Sequence, residues 1–446
     1  MIRDFKTHGS GRRHGTGRWL VGGAVLALTL VACNTDRLLD AGAPDRVDAS
    51  TLGSPGTANL LVNSAVGDFE CAIGSAITVE AVISDELVDA QLGAAAWPYD
   101  RRDANTQTNG SYGVNGCTSN QTPGIYLPLS TARWSADNVL TKLNGWTDAQ
   151  VQNRQALIAR AALYAGLSYA MMGMSMCEAA FDLQPQINQA AMFAAAEARF
   201  STAITAATAA GGATGDSLKA AAYVGRARVR LFQGNKTGAA ADAQQVPAGF
   251  EMYASAGSDD NRRYNRIYAS TGQFGFYSVD TLVRNMKTEG VVDPRSTSIA
   301  YPNTRPADGQ TPIWGPAKYT SDASPIRIAS WDEAQLILAE TQGGAQAAAT
   351  INALRDAYNA AHPTGTQIPH YTGATDAASI QNLIVSERQR ALFVEGFRNY
   401  DMQRFNIQFT GAEATGQPYP LKGGNYGNTT CLPLPDIERF NNPNVH

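Results

Sequence analysis

Two acidic residues in the last quarter of the chain, Glu387 and Glu395, could act together as a pair of catalytic carboxyl groups. Glycosidases use a pair of carboxyl groups that lie roughly 5 to 9.5 Å apart. The surrounding pattern predicts one helix, in which positions eight residues apart are separated by about 12 Å along the axis. The spacing therefore favours a structural role, with opposite charges paired on the helix surface. The candidate pairs are Glu387 with Arg390, Arg398 with Asp401, and Asp401 with Arg404.

Other catalytic motifs do not occur in the sequence. There is no GxSxG nucleophile elbow, no GxxxxGK[ST] phosphate loop and no HExxH motif. Three histidines, His362, His370 and His446, lack the spacing of metal ligands, and there is no CxxC pair. Residues 258–261, Ser-Asp-Asp-Asn, offer clustered oxygen atoms to a calcium ion, with a solvated turn as the alternative. We therefore expect a protein that is not an enzyme and has no cofactor and no metal.

Aromatic and polar residues accumulate instead in two irregular stretches, residues 93–128 and 247–325. Long loops on a rigid frame usually carry binding sites. Trp and Tyr rings offer flat apolar faces to a ligand, while Asn, Asp and Arg offer polar groups. Core packing is the alternative role for each aromatic residue, and it is the role expected for Trp146 and Trp331, which lie on or beside helices. The candidate ligand-binding residues are Trp97, Tyr99, Arg101, Asn105, Tyr301 and Trp314.

The elements that must position these loops are helices. Apolar residues recur at helical spacing through much of the chain, and small residues with a Gly234-Asn235 turn join two segments into a tetratricopeptide-like pair. No regular repeat follows, so the chain is not a regular solenoid. The helical spacing predicts a fold dominated by α-helices, with helix pairs as the scaffold and long irregular loops. The predicted helices cover residues 57–89, 130–144, 148–176, 188–210, 216–233, 236–246, 330–341, 345–361 and 376–405, with a short helical run near 278–288.

The amino terminus has the composition of an export signal. Five basic residues and one acidic residue precede an uncharged stretch, residues 19–32, which is shorter than the roughly 20 residues that a membrane span needs. It ends in Leu-Val-Ala followed by Cys33, which is similar to a bacterial lipobox; an ordinary signal peptide is the alternative. Cys33 is therefore the predicted lipid-attachment residue. Residues 34–56 then form a flexible tether.

The net charge of the exported chain limits the kind of partner that it can bind. Without the basic start, the net charge of −4 becomes −8, which disfavours nucleic acid as a partner because phosphates must be neutralised by cations.

Four cysteines remain in the exported chain, so we expect one or two disulfides, with free buried thiols as the alternative. Three pairings exist for four cysteines. We favour Cys71 with Cys117, which are nearest in the chain; the others are Cys177 and Cys431.

Several motifs together resemble the SusD/RagB family of lipid-anchored proteins. Residues 387–404, ERQRALFVEGFRNYDMQR, look like the family signature, and residues 432–435, LPLP, with the Asn-Pro-Asn at 442–444, are similar to its carboxy-terminal ending. The weaker signals are the lipobox at Cys33, the tetratricopeptide-like pair, Asp293-Pro294-Arg295, and the helix hairpin in residues 325–355. The resemblance covers nearly all of the exported chain.

The resemblance implies a SusD-like α-α superhelix whose two irregular stretches face the ligand. It also implies a lipoprotein of the outer membrane, exposed at the cell surface, that captures a glycan and delivers it to a SusC-like TonB-dependent transporter. An oligopeptide is the alternative cargo, and an exported hydrolase or a periplasmic tetratricopeptide scaffold are alternatives of other classes. The corresponding regions are residues 1–32 (signal peptide), 33–56 (tether), 57–250 (helical region), 251–325 (ligand-facing loops) and 326–446 (carboxy-terminal region).

Overall fold

The computed structural model describes residues 51–93, 97–104, 110–420 and 422–445. Cys33 and Asn105 lie outside these residues. The contacts define a compact unit that spans Ala49–His446. Its helices are α1 (Ala58–Ile83), α2 (Trp97–Asp100), α3 (Gly110–Val114), α4 (Tyr126–Gly145), α5 (Arg154–Ser175), α6 (Gln189–Ala210), α7 (Gly212–Phe232), α8 (Lys236–Ala243), α9 (Arg266–Tyr268), α10 (Trp331–Gln342), α11 (Gly344–Ala361), α12 (Ala377–Ala391), α13 (Arg398–Arg404) and α14 (Asp436–Asn441).

The strands of the described residues are short and pair two at a time, always antiparallel. The pairs are β1 (Leu87–Asp89) with β5 (Tyr277–Val279), β2 (Glu178–Ala179) with β3 (Ile187–Asn188), β4 (Glu251–Ala254) with β10 (Ile326–Ser330), β6 (Lys287–Thr288) with β7 (Val291–Val292), and β8 (Ser298–Ala300) with β9 (Trp314–Pro316). The helix-dominated fold class predicted from the sequence is confirmed.

Side-chain caps fix the starts of several helices. The side chain of Asn188 accepts a hydrogen bond from an amide in the first turn of α6, and Asn235 does the same for α8. Ser330 caps α10, and Asp376 caps α12 through two amides. Such caps satisfy amides that have no partner inside the helix. The residue at which each of these helices begins is therefore determined by its own capping side chain.

The core is centred on α5, which packs against α1, α4, α6 and α7. This helix is long and apolar enough to resemble a membrane span, but 94% of its most apolar 18-residue segment is buried inside the fold. Close approach depends on glycine, because a Cβ atom at Gly166 of α5 or Gly225 of α7 would lie 2.7 or 2.5 Å from the ring of Phe200 on α6. Phe200 therefore fills a space that two glycines leave between three helices.

Four predicted helices differ from the structure. The helix expected over residues 57–89 ends at Ile83, and Leu87–Asp89 form β1. The segment 376–405 is not one helix: α12 ends at Ala391, and α13 begins at Arg398. Between them, Val394 and Gly396 have left-handed φ angles of +51° and +83°, which interrupt helical hydrogen bonding. Residues 278–288 form the end of β5, a turn and β6, and Asn285 in the turn has a φ of +51°. The helix expected from Asp148 begins only at Arg154, to which Asp148 is paired at 2.9 Å.

Two disulfides close the fold. One joins Cys71 of α1 to Cys117, the pairing that the sequence analysis favours, and the other joins Cys177 to Cys431. Beside the second, Cys177 donates a backbone hydrogen bond to Leu432, and Leu432 donates one to Ser175. The LPLP segment is therefore fastened to the end of α5 by covalent and hydrogen bonds.

Candidate ligand-binding site

A small β structure and side-chain hydrogen bonds bring the two irregular stretches together. The hydroxyl of Tyr277, in the second stretch, donates to the carbonyl of Gln121, in the first, at 3.1 Å. β1 pairs with β5 in the register Leu87 to Val279, and beyond the strand the amide of Ala90 donates to the carbonyl of Phe276 at 2.9 Å. The amide of Asp308 donates to Ala90 in turn, at 2.7 Å. Residues that are far apart in sequence thus lie side by side, as the ligand-binding hypothesis requires.

Trp97 lies at the edge of this structure. Its indole Nε1–H donates a hydrogen bond of 3.1 Å to the carbonyl of Gln91, just after β1. The side-chain amide of Gln91 donates to Gln121, so the indole is held by a residue that is itself fixed. The ring is half-buried, which leaves part of its surface for contact with a ligand.

Trp314 begins β9, and Tyr301 directly follows β8, the strand with which β9 pairs; both residues are half-buried. The amide of Tyr301 donates to Ile313, and the amide of Trp314 donates to Ser278 of β5 at 3.0 Å. The Tyr301 ring rests against Gly272 and Gly315, where a Cβ atom would lie 2.7 Å from it. The guanidinium of Arg284 stacks over the Trp314 ring at 5.2 Å.

The sequence analysis did not single out Phe274 and Phe276. Their rings stack with centroids 5.8 Å apart, and Phe274 is 41% exposed. The amide of Ala307 donates to the carbonyl of Gly275 between them, which joins this pair to the loop that follows Tyr301. The Phe-Gly-Phe sequence at residues 274–276 is the pattern from which this aromatic pair could have been predicted. We call Trp97, Phe274, Phe276, Tyr301 and Trp314 the aromatic loop cluster.

The other predicted ligand residues have different surroundings. Tyr99 is only 1% exposed, and its hydroxyl donates to the carbonyl of Pro123, so in this structure it is part of the core. Arg101 is paired with Asp103 at 2.8 Å and also donates to Gly423. Asn105 lies outside the described residues. The structure therefore brings together three of the six predicted residues as partly exposed rings.

A buried ionic cluster supports the aromatic loop cluster from below. The ammonium of Lys422 donates to a carboxylate oxygen of Asp89 at 2.7 Å, and the amide of Asp89 donates to Asp100 at 2.9 Å. Burial raises the pKa of Asp89 to about 6, against the opposing effect of Lys422, and raises the pKa of Asp100 to about 7. These bonds fasten the carboxy-terminal segment to β1 and α2 at once.

The carboxylates considered for catalysis are both held by cations. Glu387 accepts hydrogen bonds from Arg295 and Arg355 at 2.7 Å each, and Glu395 accepts from Lys318 at 2.7 Å and pairs with Arg327. Burial acts to raise the pKa of each carboxyl, but the neighbouring cations outweigh it and lower the pKa below the ordinary value. A general acid needs a raised pKa, so this environment does not suit that role.

Comparison with solved structures identifies the architecture. A laminarin-binding SusD-like protein superposes with a TM-score of 0.61 and 17% identity, over 88% of this chain and 98% of the other. The chain has the SusD-like fold.

Two further structures with the SusD-like fold match over the same share of this chain. A SusD-like carbohydrate-binding protein from Bacteroides vulgatus has a TM-score of 0.60 and 14% identity, with 88% of this chain and 97% of that chain covered. Surface glycan-binding protein A from Bacteroides uniformis has a TM-score of 0.60, 14% identity and coverage of 88% and 98%. No protein-family model matches the sequence, and no curated protein does. The resemblance inferred from the signature and the ending is thus confirmed at the level of the fold.

Proposed function

We propose that this protein captures glycans at the cell surface and binds them at the aromatic loop cluster. The observation that carries the proposal is the convergence of three half-exposed rings, those of Trp97, Tyr301 and Trp314, through one hydrogen-bonded β structure. Aromatic faces match the apolar faces of sugar rings, and Arg305, which is exposed in the same loop region, can bind hydroxyl groups. The carbohydrate-binding proteins with this fold support the choice of glycan as cargo.

The proposed role is binding without turnover. Glu387 and Glu395, the pair that could have suggested a glycosidase, each serve as the anion of a buried ion pair. A nucleophile or general base in such a pair would have to break bonds to two cations before it could react. Binding and release are the functions that this arrangement supports.

The proposal extends to the place of the protein in the cell. Acylation of Cys33 would anchor the chain in the outer membrane, and residues 34–56 would give the fold freedom to move above it. A SusC-like TonB-dependent transporter is the partner to which the glycan would be delivered. Two separate inferences support this, namely the lipobox in the sequence and the SusD-like fold.

The ligand-binding proposal is tested by calorimetric titration of the full chain, purified in detergent, with oligosaccharides and oligopeptides. We expect an oligosaccharide to bind and the double variant Trp97→Ala/Trp314→Ala to weaken its affinity by about tenfold or more, since truncated aromatic anchors typically cost more than about 1 kcal/mol. Trp134→Ala is the matched control, because Trp134 lies on α4 and is 52% exposed. Thermal unfolding of each variant verifies the fold.

Two results would contradict the proposal. Affinity for the sugar that is unchanged in the folded double variant would exclude the aromatic loop cluster as the site. Binding of oligopeptides alone would exclude glycan as the cargo while leaving the capture mechanism in place.

A further inference from the structure

A second concave site lies away from the aromatic loop cluster. This cleft has a volume of about 790 Å³, within the range of about 300 to 1,000 Å³ that is typical of small-molecule sites. Its walls are the strand pair β4 and β10, the start of α10, the end of α11 and the turn between α12 and α13. None of the residues of the aromatic loop cluster contributes to its lining.

Several of the residues that line the cleft are aromatic. Tyr253 on β4 is 44% exposed, and Trp331 at the start of α10 is half-buried. Tyr358 on α11 stacks on the exposed ring of His362, with centroids 4.2 Å apart and an interplanar angle of 22°. The three rings lie on separate elements, and His362 directly follows the helix that carries Tyr358. All four line one cavity and give it flat surfaces suited to stacking.

The charged residues that line the cleft are already paired with opposite charges. Arg327 pairs with Glu395 at 3.1 Å, with Asp332 at 2.8 Å and with Glu251 at 3.2 Å, and Lys318 pairs with Glu395 at 2.7 Å. The hydroxyl of Tyr253 donates to Glu251 at 2.8 Å, so this aromatic side chain is tied to the same network. Arg295, which also lines the cleft, pairs with Asp293 and Glu387, so every arginine, lysine, aspartate and glutamate of the lining has a partner of opposite sign.

This balance selects the chemical class of the ligand. A carboxylate or an ammonium group would have to displace one partner of an existing pair, and an unpaired charge in a partly buried site is costly. A hydroxyl group both donates and accepts, so it can bind to an already paired carboxylate or to the ammonium of Lys318 without breaking a pair. The wall therefore favours an uncharged ligand with many hydroxyl groups and apolar faces.

We propose that this cleft is a second saccharide site, specific for uncharged sugars, in which Tyr253 and Tyr358 are the stacking residues. The inference rests on the function proposed above for its class of ligand, but not for its location. Two sites on one chain would let a polymer be held at two points, which raises the overall affinity by making the second contact intramolecular.

The test is hydrogen exchange of the full chain in detergent, with millimolar maltoheptaose, cellohexaose or laminarihexaose. With at least one of these sugars we expect protection of backbone amides in β4, in Ile326–Ser330 and at the end of α11. The variant Tyr253→Ala/Tyr358→Ala is expected to lose that protection and to bind the sugar about tenfold more weakly at the cleft. Trp97→Ala/Trp314→Ala is expected to keep it, and Trp134→Ala serves again as the exposed aromatic control.

The outcomes separate the two sites. Lost protection at the cleft in the tyrosine variant, with the tryptophan variant unaffected there, supports the second site even if the aromatic loop cluster binds nothing. Absence of protection at the cleft with all three sugars overturns the inference, as does unchanged cleft protection in the tyrosine variant. Equal protection by tetragalacturonate overturns the specificity for uncharged sugars. If the double variant unfolds, Tyr253→Ala alone replaces it, since that side chain is largely exposed on a strand.

Discussion

Glu387 shows how much of the stability of this protein depends on single buried charges. Its carboxylate is 1% exposed and is shared between Arg295 and Arg355, which come from a loop and from α11. We expect Glu387→Gln to lower the free energy of unfolding by about 3–5 kcal/mol, because two guanidinium groups would lose their shared counter-charge inside the protein. Urea denaturation of the parent and the variant measures the difference.

The control for this prediction is Glu289→Gln. Glu289 is exposed in the turn between β6 and β7, and its substitution is expected to change stability by less than about 0.5 kcal/mol. Since the pKa of Glu387 is lowered in the folded state, its contribution is present above the ordinary pKa of 4.5 and is lost as the pH falls through the lowered value. A Glu387→Gln loss equal to that of Glu289→Gln at neutral pH would contradict the assignment.

The sequence predicted which apolar residues of the signature are buried, but it did not predict most of the ion pairs that its charged residues form. Leu392, Phe393 and Phe397 are buried as expected, and Asp401 pairs with Arg404 at 2.8 Å. Arg398, however, pairs with Asp85 at the end of α1, at 2.6 Å. Helical spacing identifies neighbours on one helix, whereas a buried charge takes the partner that tertiary packing supplies. For the same reason exposure of Trp97 and burial of Tyr99 could not be distinguished from their sequence.

At the scale of elements, the long amphipathic helices were predictable and the interruptions were not. Residues 376–405 have apolar residues at helical spacing throughout, yet the chain turns between Ala391 and Arg398. The turn lets the amide of Val394 donate to Glu86 at 2.9 Å and brings Glu395 to Arg327. These tertiary bonds outweigh helix propensity, which is a weak local preference. The cleft depends on this turn, and so it could not be predicted from periodicity.

The two disulfides constrain elements to different degrees, which leads to a prediction. Cys71 and Cys117 are separated by 46 positions, and Cys177 and Cys431 by 254. Removing either bridge is expected to lower the free energy of unfolding by about 2–5 kcal/mol. The loss should be larger by about 1.5 kcal/mol for Cys177→Ala/Cys431→Ala than for Cys71→Ala/Cys117→Ala, since closing the longer loop costs the unfolded chain more entropy.

Urea denaturation of both double variants measures this difference. Under reducing conditions, which also break the bridge that each variant retains, the difference attributed to loop length should disappear. Equal losses, or a larger loss at the shorter loop, would show that local packing around Cys71, which is 2% exposed, outweighs the entropy of loop closure.

At the scale of the whole molecule, the two ends of the compact unit are interleaved. Asp85 and Glu86, just after α1, bind Arg398 and Val394, and Lys422 binds Asp89 of β1. Val394 and Arg398 belong to the signature, and Leu432 of the ending is hydrogen-bonded to Ser175 and Cys177. Both motifs therefore contain contacts that join distant parts of the chain, which is why the resemblance predicted the fold correctly. Loop contacts and clefts differ in this respect, because they depend on residues that the motifs do not include.

The attachment of the whole molecule to the membrane is tested at Cys33. If this residue carries the lipid, Cys33→Ala should move the protein from the outer-membrane fraction to the soluble fraction, because acyl chains supply the apolar area that holds a lipoprotein in the bilayer. The unfolding midpoint should stay that of the parent, since Cys33 precedes the compact unit that begins at Ala49. The matched control is Thr35→Ala, a similar small change in the same amino-terminal segment, which should remain in the membrane fraction. Retention of Cys33→Ala in that fraction, after a salt wash that removes peripheral proteins, would contradict lipid anchoring and favour attachment through a protein partner.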